Sequence, residues 1–388
     1  MTHAPRVTVL AGFSSAATAA VARALLVTDP SLVLLTHDLS AVREGVVRRT
    51  IRTAAEVLET AETHLVHGCA SCAVREDVLP ALVRLSQERP DSDIILALPP
   101  AIEPELIRTA TVHFDSFVTV VEAGTFLDDL TTTDELTHRD LHAADNDHRG
   151  VADVLTRQIE SADTIVVWGT PDHLHDALLH RLAPWAAQVR VGDTPTVNCT
   201  ELAAQLLRSD RHNPAVPATP ARALEGYPLG LHDPAGDHGV NAVLFEARRP
   251  FHPDRLHDAL DDLTGMPVRG RGQLWIATRP ATAISWESAG GGLLLGNLGH
   301  WLTALPRDRW PEASPMRRLA ADLTWDPYYG DRRTVLSFVG LGLDAPALTA
   351  LLNDCLLTDQ ELAEGMESWQ TLPDPFADVI PLVSSPAA

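Results

Sequence analysis

The chain has 388 residues, of which 45% are hydrophobic, and it carries a formal net charge of -22. Its length allows two or three domains, and no apolar run reaches the ~18–20 residues that span a bilayer, so we expect no membrane segment. The acidity argues against DNA or any other broad phosphate backbone as a partner, because such binding needs a basic face.

Two further features of the composition narrow the chemistry. All 30 basic residues are arginine, so no lysine is available to contact a phosphate or to form a Schiff base. The four cysteines are unevenly spaced and predict no disulfide framework. The first apolar run begins close to the N-terminus, which leaves no room for a signal peptide and predicts a cytoplasmic protein.

Short apolar runs alternate with helical stretches through residues 1–208. This alternation predicts an α/β domain with a doubly wound parallel sheet, in which ligands bind at the carboxyl ends of the strands. The predicted strands are Val7–Ala11, Leu32–Thr36, His64–His67, Ile94–Leu98, Phe117–Val121, Ile165–Trp168 and Val189–Val191. Predicted helices between them include Ala54–Ala61, Val78–Gln87 and His173–Leu182.

The second half of the chain has a different pattern. Residues 209–240 are rich in proline and glycine and are predicted to form a linker. Residues 241–360 are predicted to form a smaller α+β domain, and residues 361–388 a tail. Its predicted strands are Asn241–Ala247, Leu274–Thr278, Ile284–Ser288, Leu293–Leu295 and Val335–Val339, with helices near Asp254–Leu263 and Ala345–Cys355.

The turn after the first strand has the position of a phosphate-binding loop but not its residues. The pattern G-x-x-x-x-G-K-[ST] supplies backbone N–H groups and a lysine to the phosphates and a hydroxyl to Mg²⁺. Here Ala17, Thr18 and Ala19 stand where glycine, lysine and the hydroxyl residue belong. What remains is a helix N-terminus, which attracts anions weakly. The candidate residues of that weak anion site are Gly12, Ser14, Ser15 and Thr18.

Cys69 and Cys72 have the spacing of a metal-binding pair and lie between a predicted strand and a helix. Two thiols can share a soft metal ion, zinc or copper(I). They do not complete a tetrahedral site, so His67, His64 or a carboxylate would have to contribute. The alternative is two half-buried cysteines in a tight turn. No Ser/His/Asp triad and no G-x-S-x-G elbow is present, so no catalytic residue is predicted.

Other groups of residues allow two interpretations each. His138, His142 and His148 lie among aspartates, where a metal site competes with a solvated surface loop, and the loop is favoured. Six tryptophans of the second half are predicted mainly to pack in its core: Trp275, Trp286, Trp301, Trp310, Trp325 and Trp369. Three arginine pairs are candidate partner contacts or intramolecular ion pairs: Arg248–Arg249, Arg317–Arg318 and Arg332–Arg333.

Three stretches of the sequence resemble the CobW-type GTPases, which are zinc-homeostasis metallochaperones with a CobW C-terminal domain. The strings are GCASCAVRED (68–77), FEARRPFHPDRL (245–256) and WDPYYGDRRTVLSFVG (325–340). The resemblance covers nearly the whole chain. It implies a first domain like a P-loop GTPase and a CobW C-terminal second domain. It also implies zinc as a cofactor, held by Cys69, Cys72 and His67, although Ser71 replaces the middle cysteine of the family's GCxCC motif.

The chain departs from the family pattern at the positions where members of the family bind the nucleotide. Thr18 and Ala19 replace the lysine and the magnesium-binding hydroxyl. The family's ETSGLADP is ALPPAIEP (97–104) here, and its guanine-reading NKxD is WGTP (168–171). Three losses together predict a pseudo-GTPase that does not hydrolyse GTP, and neither GTP nor Mg²⁺ is expected to bind.

A narrower resemblance, to actinobacterial relatives with a decayed first loop and a G-C-x-S-C turn, implies a more specific function. It predicts a zinc-responsive protein that recruits a ribosome hibernation-promoting factor to the small ribosomal subunit under zinc limitation. The first alternative is a GTP-dependent zinc metallochaperone in which Arg23, Arg43 or Arg48 contacts the phosphates. The second is a structural subunit that binds no metal.

Overall fold

The computed structural model describes residues 4–108, 111–192 and 198–380. The chain divides into two compact units, Met1–Leu179 with Ala183–Asn213, and His180–Leu182 with Pro214–Ala388. Positions 381–388, the end of the predicted tail, lie outside the described residues. Within those residues no helix is both long and apolar enough to cross a membrane.

The described part of the first unit contains one eight-stranded sheet. Its strands are β1 (Arg6–Ala11), β2 (Val33–Asp38), β3 (Val46–Arg52), β4 (Val57–His64), β5 (Ile94–Ala97), β6 (His113–Glu122), β7 (Thr164–Trp168) and β8 (Ala187–Val191). The spatial order is β4-β3-β2-β5-β1-β6-β7-β8. All neighbours from β2 to β8 pair in parallel, while β3 and β4 are antiparallel additions at one edge. The predicted α/β fold with a parallel sheet is therefore confirmed.

Helices cover both faces of this sheet. They are α1 (Ser15–Leu26), α2 (Ala70–Ala73), α3 (Leu79–Glu88), α4 (Phe126–Thr131), α5 (Val151–Glu160), α6 (His173–Leu182) and α7 (Cys199–Leu206). Alternation along β1 places Val7 and Val9 in one core cluster, with Leu82 of α3, and Leu10 in another, with Val21 of α1. Side chains of successive strand residues point to opposite faces, so this division shows that the sheet is buried on both sides.

The predicted helix Ala54–Ala61 and the predicted strand His64–His67 are wrong. Residues 46–64 form a hairpin in which β3 and β4 pair antiparallel. Its turn is closed by Thr53, whose hydroxyl accepts hydrogen bonds from the amides of residues 55 and 56 at 3.3 and 3.2 Å. Cross-strand ion pairs, including Arg48 with Glu62 at 2.8 Å, form only in this pairing. Burial of Val47 and Ile51 of β3, at 0% and 2% exposed, favours this strand pairing over the helix propensity of the alanines and glutamates.

The second unit is built on a six-stranded antiparallel sheet, among the described residues. Its strands are β9 (Asp233–Asp237), β10 (Val240–Ala247), β11 (Arg269–Leu274), β12 (Thr282–Ala289), β13 (Gly292–His300) and β14 (Thr334–Leu341), in the order β13-β12-β11-β14-β10-β9. Its helices are α8 (Pro253–Asp258), α9 (Leu260–Gly265), α10 (Pro315–Leu323), α11 (Ala345–Asp354), α12 (Asp359–Glu364) and α13 (Met366–Trp369). This arrangement confirms the predicted α+β second part.

Four details of the second unit differ from the predictions. The strand predicted at Leu274–Thr278 is wrong, because β11 spans Arg269–Leu274, and the apolar run that follows is buried outside the sheet, with an isolated bridge between Ile276 and Phe251. The helix expected near Asp254–Leu263 is two short helices, α8 and α9, and α10 was not predicted at all. Strand β9 lies inside the stretch predicted as linker. Four tryptophans are fully or nearly fully buried, as expected for core residues: Trp275, Trp286, Trp301 and Trp369. Trp325 is 39% exposed and packs against Trp310, with ring centroids 5.4 Å apart, at the surface.

Candidate nucleotide and metal sites

The turn between β1 and α1 uses its own polar groups internally. Ser14 caps α1, and its hydroxyl oxygen accepts a hydrogen bond from the Ala17 amide at 3.3 Å. The Thr18 amide donates to the Ser14 carbonyl at 3.0 Å, and the buried Thr18 hydroxyl donates to the same carbonyl at 2.9 Å. In a phosphate-binding loop these amides would point at the ligand. Here the helix begins at Ser15, so two of the N–H groups already have partners.

Close packing explains why position 12 is occupied by glycine. A Cβ atom added there would lie 2.6 Å from the Thr18 hydroxyl and 2.6 Å from the backbone oxygen of Val120 on β6. A side chain at this position would force the turn away from the sheet. Of the four predicted anion-site residues, Ser15 is exposed at the helix start and Thr18 is buried. The predicted weak anion site at this helix N-terminus stays a prediction.

The loop after β7, where a guanine-reading aspartate would lie, is used to begin α6. Asp172 caps that helix and accepts hydrogen bonds from the amides of Leu174 at 2.9 Å and His175 at 3.0 Å. Hydrogen bonds from the side chain and then the backbone of His175 lower the pKa of Asp172. His175 Nε2 in turn lies 2.9 Å from the Ala123 carbonyl oxygen. Asp172, the residue that follows the Trp168–Pro171 segment in the chain, is thus held in a helix cap.

The loop after β5 is clamped by two side chains. Gln158 of α5 donates hydrogen bonds to the carbonyls of Pro100 at 2.7 Å and Ile102 at 3.0 Å. Arg149 pairs with Glu103 at 2.6 Å and Asp147 at 2.7 Å. Burial would lower the pKa of Arg149, but its bonds to the two carboxylates outweigh this and raise it. These contacts fix the loop to the domain.

The two cysteines of the C-x-x-C turn lie side by side. Cys69 caps α2, and its sulfur accepts a hydrogen bond from the Cys72 amide at 3.3 Å. Cys72 is buried, and Arg75 Nη2 lies 3.5 Å from its sulfur. A hydrogen bond with Cys69, followed by burial, raises the pKa of the Cys72 thiol, and the charge of Arg75 opposes this. Two adjacent thiols suit a soft metal ion and provide half of a tetrahedral set.

The rest of a metal-ligand set is not assembled around these thiols. His67 is exposed, and its carbonyl accepts the Cys69 amide at 3.0 Å. Across residues 4–108, 111–192 and 198–380, no group of three His, Cys, Asp or Glu side chains is placed to hold a metal ion. The predicted contribution of His67 therefore stays a prediction. Solvent, a partner or a rearrangement of this turn must supply any further ligands.

A cavity of about 360 Å³ with a mixed polar and apolar lining lies beside Cys69. Cys69 and Ser71 line one part of it, and Glu105, Asn146 and Arg149 line others. Sequence reasoning missed Glu105 and Asn146, since they come from a 3-10 turn after β5 and from the long loop before α5. In the sequence, the only signal for these two residues was the acidic character of the loop before α5. The cavity gives Cys69 access to small polar groups or to a metal ion.

The histidine-rich loop before α5 is satisfied by local pairing. His148 Nδ1 lies 3.0 Å from Glu135, and His138 Nδ1 accepts a hydrogen bond from the Glu135 amide at 3.0 Å. His142 Nε2 lies 2.9 Å from Arg43. These contacts agree with the favoured interpretation of a solvated surface loop.

Comparisons with known proteins agree with this architecture. The family model described as "CobW/HypB/UreG, nucleotide-binding domain" matches residues 31–194, so its match begins after the β1–α1 turn. The model described as "Cobalamin synthesis protein cobW C-terminal domain" matches residues 240–356.

Named relatives match most of the chain. The zinc chaperone Rv0106 of Mycobacterium tuberculosis is 36% identical over 357 residues, which is 86% of this chain and 84% of the relative. The zinc-regulated GTPase metalloprotein activator 1 of Dictyostelium discoideum is 26% identical over 384 residues, covering 91% of this chain and 78% of the relative. Among solved structures, the Zn(II)-bound YjiA GTPase from E. coli is 14% identical with a TM-score of 0.34, covering 91% of this chain and 99% of that chain.

Proposed function

The chain belongs to the CobW family, and we propose that it is a zinc-responsive binding protein that does not hydrolyse GTP. The observation that carries this proposal is that the polar groups of the turn at Ser14 form hydrogen bonds with one another. Its hydroxyl and carbonyl accept the amides of Ala17 and Thr18, at 3.3 and 3.0 Å, where a nucleotide would need free donors. The Thr18 hydroxyl also donates to Ser14 at 2.9 Å.

The expected loss of nucleotide affinity is large. A hydrogen bond to a charged group contributes about 1.5–3 kcal/mol. The lysine contact, the Mg²⁺ ligand and the guanine contact are all replaced here. Together their loss corresponds to about 5 kcal/mol, or more than a thousandfold in the dissociation constant. Asp172 does not compensate, because it is held in the cap of α6.

A role for zinc is supported by the Cys69–Cys72 pair and by the relatives named as a zinc chaperone and a zinc-regulated GTPase metalloprotein activator. Two thiolates with an incomplete shell suit an ion that is held transiently, since a structural zinc site has four protein ligands. Ligation would release the thiol protons and order the turn. Zinc occupancy would thereby change the surface around Cys69.

The partner in this proposal is a ribosome hibernation-promoting factor together with the small ribosomal subunit. What supports it is the combination of a degraded first loop with a G-C-x-S-C turn. The test is co-sedimentation with ribosomes and purified hibernation factor, with zinc chelated and with zinc restored. We expect recruitment when zinc is chelated, its loss when zinc is restored, and recruitment that no longer responds to zinc in Cys72→Ser. Identical sedimentation under both zinc conditions would exclude zinc control.

The proposal on GTP is tested by equilibrium binding of fluorescent GTP with Mg²⁺, with and without one equivalent of zinc. We expect no binding up to high micromolar concentration. The matched variant is Ala17→Gly/Thr18→Lys/Ala19→Thr, which restores the loop sequence and should bind more tightly than the natural chain. Low-micromolar binding by the natural chain would overturn the pseudo-GTPase assignment.

A GTP-dependent zinc metallochaperone is the second candidate, favoured by the relative named as a zinc-regulated GTPase metalloprotein activator. It needs an arginine to replace the missing lysine. Arg48 pairs with Glu62 at 2.8 Å and Arg43 contacts His142 at 2.9 Å. Arg23 lies in the last turn of α1, roughly 12 Å along the helix from Ser15. A rearrangement on GTP binding would be required, and the same binding experiment detects it.

A further inference from the structure

Cys69 and Cys72 lie in a closed turn that brings their thiols together. The Cys69 carbonyl accepts the Ala73 amide at 3.0 Å, and the Cys69 sulfur accepts the Cys72 amide at 3.3 Å. The two thiols are within hydrogen-bonding reach of each other. Cα atoms three residues apart at the start of a helix are roughly 5 Å apart, and a disulfide requires about 4.4–6.8 Å. The backbone of this turn is therefore already compatible with a disulfide between the two cysteines.

The turn is held at both ends by its surroundings. A Cβ atom added at Gly68 would lie against the carbonyl oxygen of Val42 and 2.9 Å from that of Arg43, an approach that only glycine allows. At the other end, the Glu76 carboxylate accepts the Val66 amide at 3.0 Å. Because these contacts fix the turn, little conformational freedom remains to be lost when the two sulfur atoms join.

The two thiols differ in their access to solvent. Cys69 is half-buried and lines the cavity of about 360 Å³, whereas Cys72 is only 5% exposed. Charged groups of both signs, Glu105 and Arg157 among them, line the same cavity. Its volume lies at the small end of the range of about 300–1,000 Å³ that is typical of ligand sites. A small molecule that carries charges of both signs therefore fits beside Cys69.

We propose that Cys69 and Cys72 are a redox modification site, which a low-molecular-weight disulfide oxidises reversibly to an intramolecular disulfide. The Cys69 thiolate attacks one sulfur of the small disulfide, forms a mixed disulfide and releases one small thiolate. The Cys72 thiolate then attacks the Cys69 sulfur and releases the second small thiolate. The two cysteines lose two electrons to the small disulfide, and their two protons pass to the two released thiolates.

This modification would make zinc occupancy depend on the redox state of the turn. The thiolate is the form of cysteine that binds a metal ion, and a disulfide has no thiolate to offer. Oxidation of Cys69 and Cys72 would therefore release zinc, and bound zinc would protect the pair from oxidation. This consequence rests on the zinc role proposed above, whereas formation of the disulfide itself does not.

The experiment is incubation of the zinc-free, full-length protein with oxidised glutathione, followed by blocking of the remaining thiols and mass mapping of the cysteine peptides. We expect the peptide with Cys69 and Cys72 to lose two hydrogen atoms and to carry no glutathione, and dithiothreitol to reverse the change. Cys72→Ser should instead accumulate glutathione on Cys69. Cys69→Ser should leave the buried Cys72 unmodified.

The other two cysteines are internal controls. Cys199 is half-buried and no other cysteine lies near it in the sequence, so its reaction should stop at the mixed disulfide. Burial raises the pKa of the Cys355 thiol to about 11, so this thiol should stay reduced. A Cys69–Cys72 pair that stays reduced while Cys199 reacts would overturn the proposal, as would a stable mixed disulfide on Cys69 of the natural chain.

Zinc affinity of the reduced and the oxidised protein is measured separately with a chromophoric chelator. We expect the oxidised protein to lose the zinc binding that the reduced protein shows. A reduced protein that binds no zinc but forms the Cys69–Cys72 disulfide normally would refute the zinc role and support the redox site. The two proposals can therefore fail independently of each other.

Discussion

His37 Nε2 lies 3.0 Å from Asp77 Oδ1, and the two side chains are 0% and 1% exposed. The other oxygen of Asp77 accepts hydrogen bonds from Arg49 at 2.6 Å and from the Thr63 hydroxyl. Asp77 belongs to the π-helical turn Val74–Val78 that follows the cysteine pair. One carboxylate therefore ties the segment behind Cys72 to three neighbouring strands, β2, β3 and β4.

Removing this charge should destabilise the first unit. In Asp77→Asn, Arg49 and His37 lose the carboxylate that compensates for their burial, and breaking a buried pair costs about 3–5 kcal/mol. Arg49 keeps its ion pair with Glu59 at 2.8 Å, so we expect about 3 kcal/mol. Urea unfolding measures this, with the exposed Asp91→Asn as the control. Equal stability of the two variants would contradict a stabilising role for Asp77.

The same group predicts a loss of stability in acid. Burial would raise the pKa of Asp77, but hydrogen bonds from His37, Thr63 and Arg49 outweigh it and lower the pKa from 3.8 to about 2. The unfolded chain then binds more protons than the folded one, so stability falls as pH falls from about 4 towards 2. The contribution is about 2 kcal/mol at neutral pH, and about half of it is lost by pH 3.

Stability measured between about pH 6 and pH 3 checks this sign. The difference between the natural chain and Asp77→Asn should shrink as the solution becomes more acidic. A difference that grows in acid would mean that Asp77 is not the group that titrates.

Zinc binding should depend on both cysteines of the turn. Loss of an outer-sphere contact in a metal site costs 10–100-fold in affinity, so loss of a ligand should cost about 100-fold or more. We expect this for Cys69→Ser and Cys72→Ser in competition with a chromophoric zinc chelator. Cys199→Ser is the matched control, since Cys199 lies on α7 at the start of another helix. Equal zinc affinity in all three variants would mean that the paired thiols only pack in the turn and do not bind zinc.

Gly272 should not tolerate a side chain. It lies in β11 with a φ of +144, and an added Cβ would lie 2.1 Å from the Val335 carbonyl oxygen on β14. Because that contact is with backbone, Gly272→Ala should separate two paired strands and lower the thermal stability of the second unit strongly. Gly265→Ala at the end of α9 has open space and should change stability by less than about 1 kcal/mol. Similar melting of both variants would contradict this packing.

The local sequence pattern was sufficient to predict those helices and strands whose residue pattern is uniform along the element. The apolar runs of β1, β2, β5, β6 and β7 identify the parallel sheet, because buried parallel strands are continuously apolar. The predicted helix His173–Leu182 coincides with α6, which the structure shows to begin at a capping box formed by Asp172 and His175. The hairpin of β3 and β4 was missed because residues 54–61 are rich in helix formers, whereas the hairpin depends on pairing between residues such as Arg48 and Glu62, which are 14 positions apart in the chain.

The sequence by itself determined that no lysine exists for a phosphate loop, that two cysteines stand at metal-binding spacing, and that a parallel α/β sheet precedes an α+β part. Only the tertiary structure decided that Ser14 accepts the amides of Ala17 and Thr18 and that, among the described residues, no group of three His, Cys, Asp or Glu side chains is placed to hold a metal ion. Residue type and spacing act locally, whereas the partner of each polar group depends on which distant segments pack together.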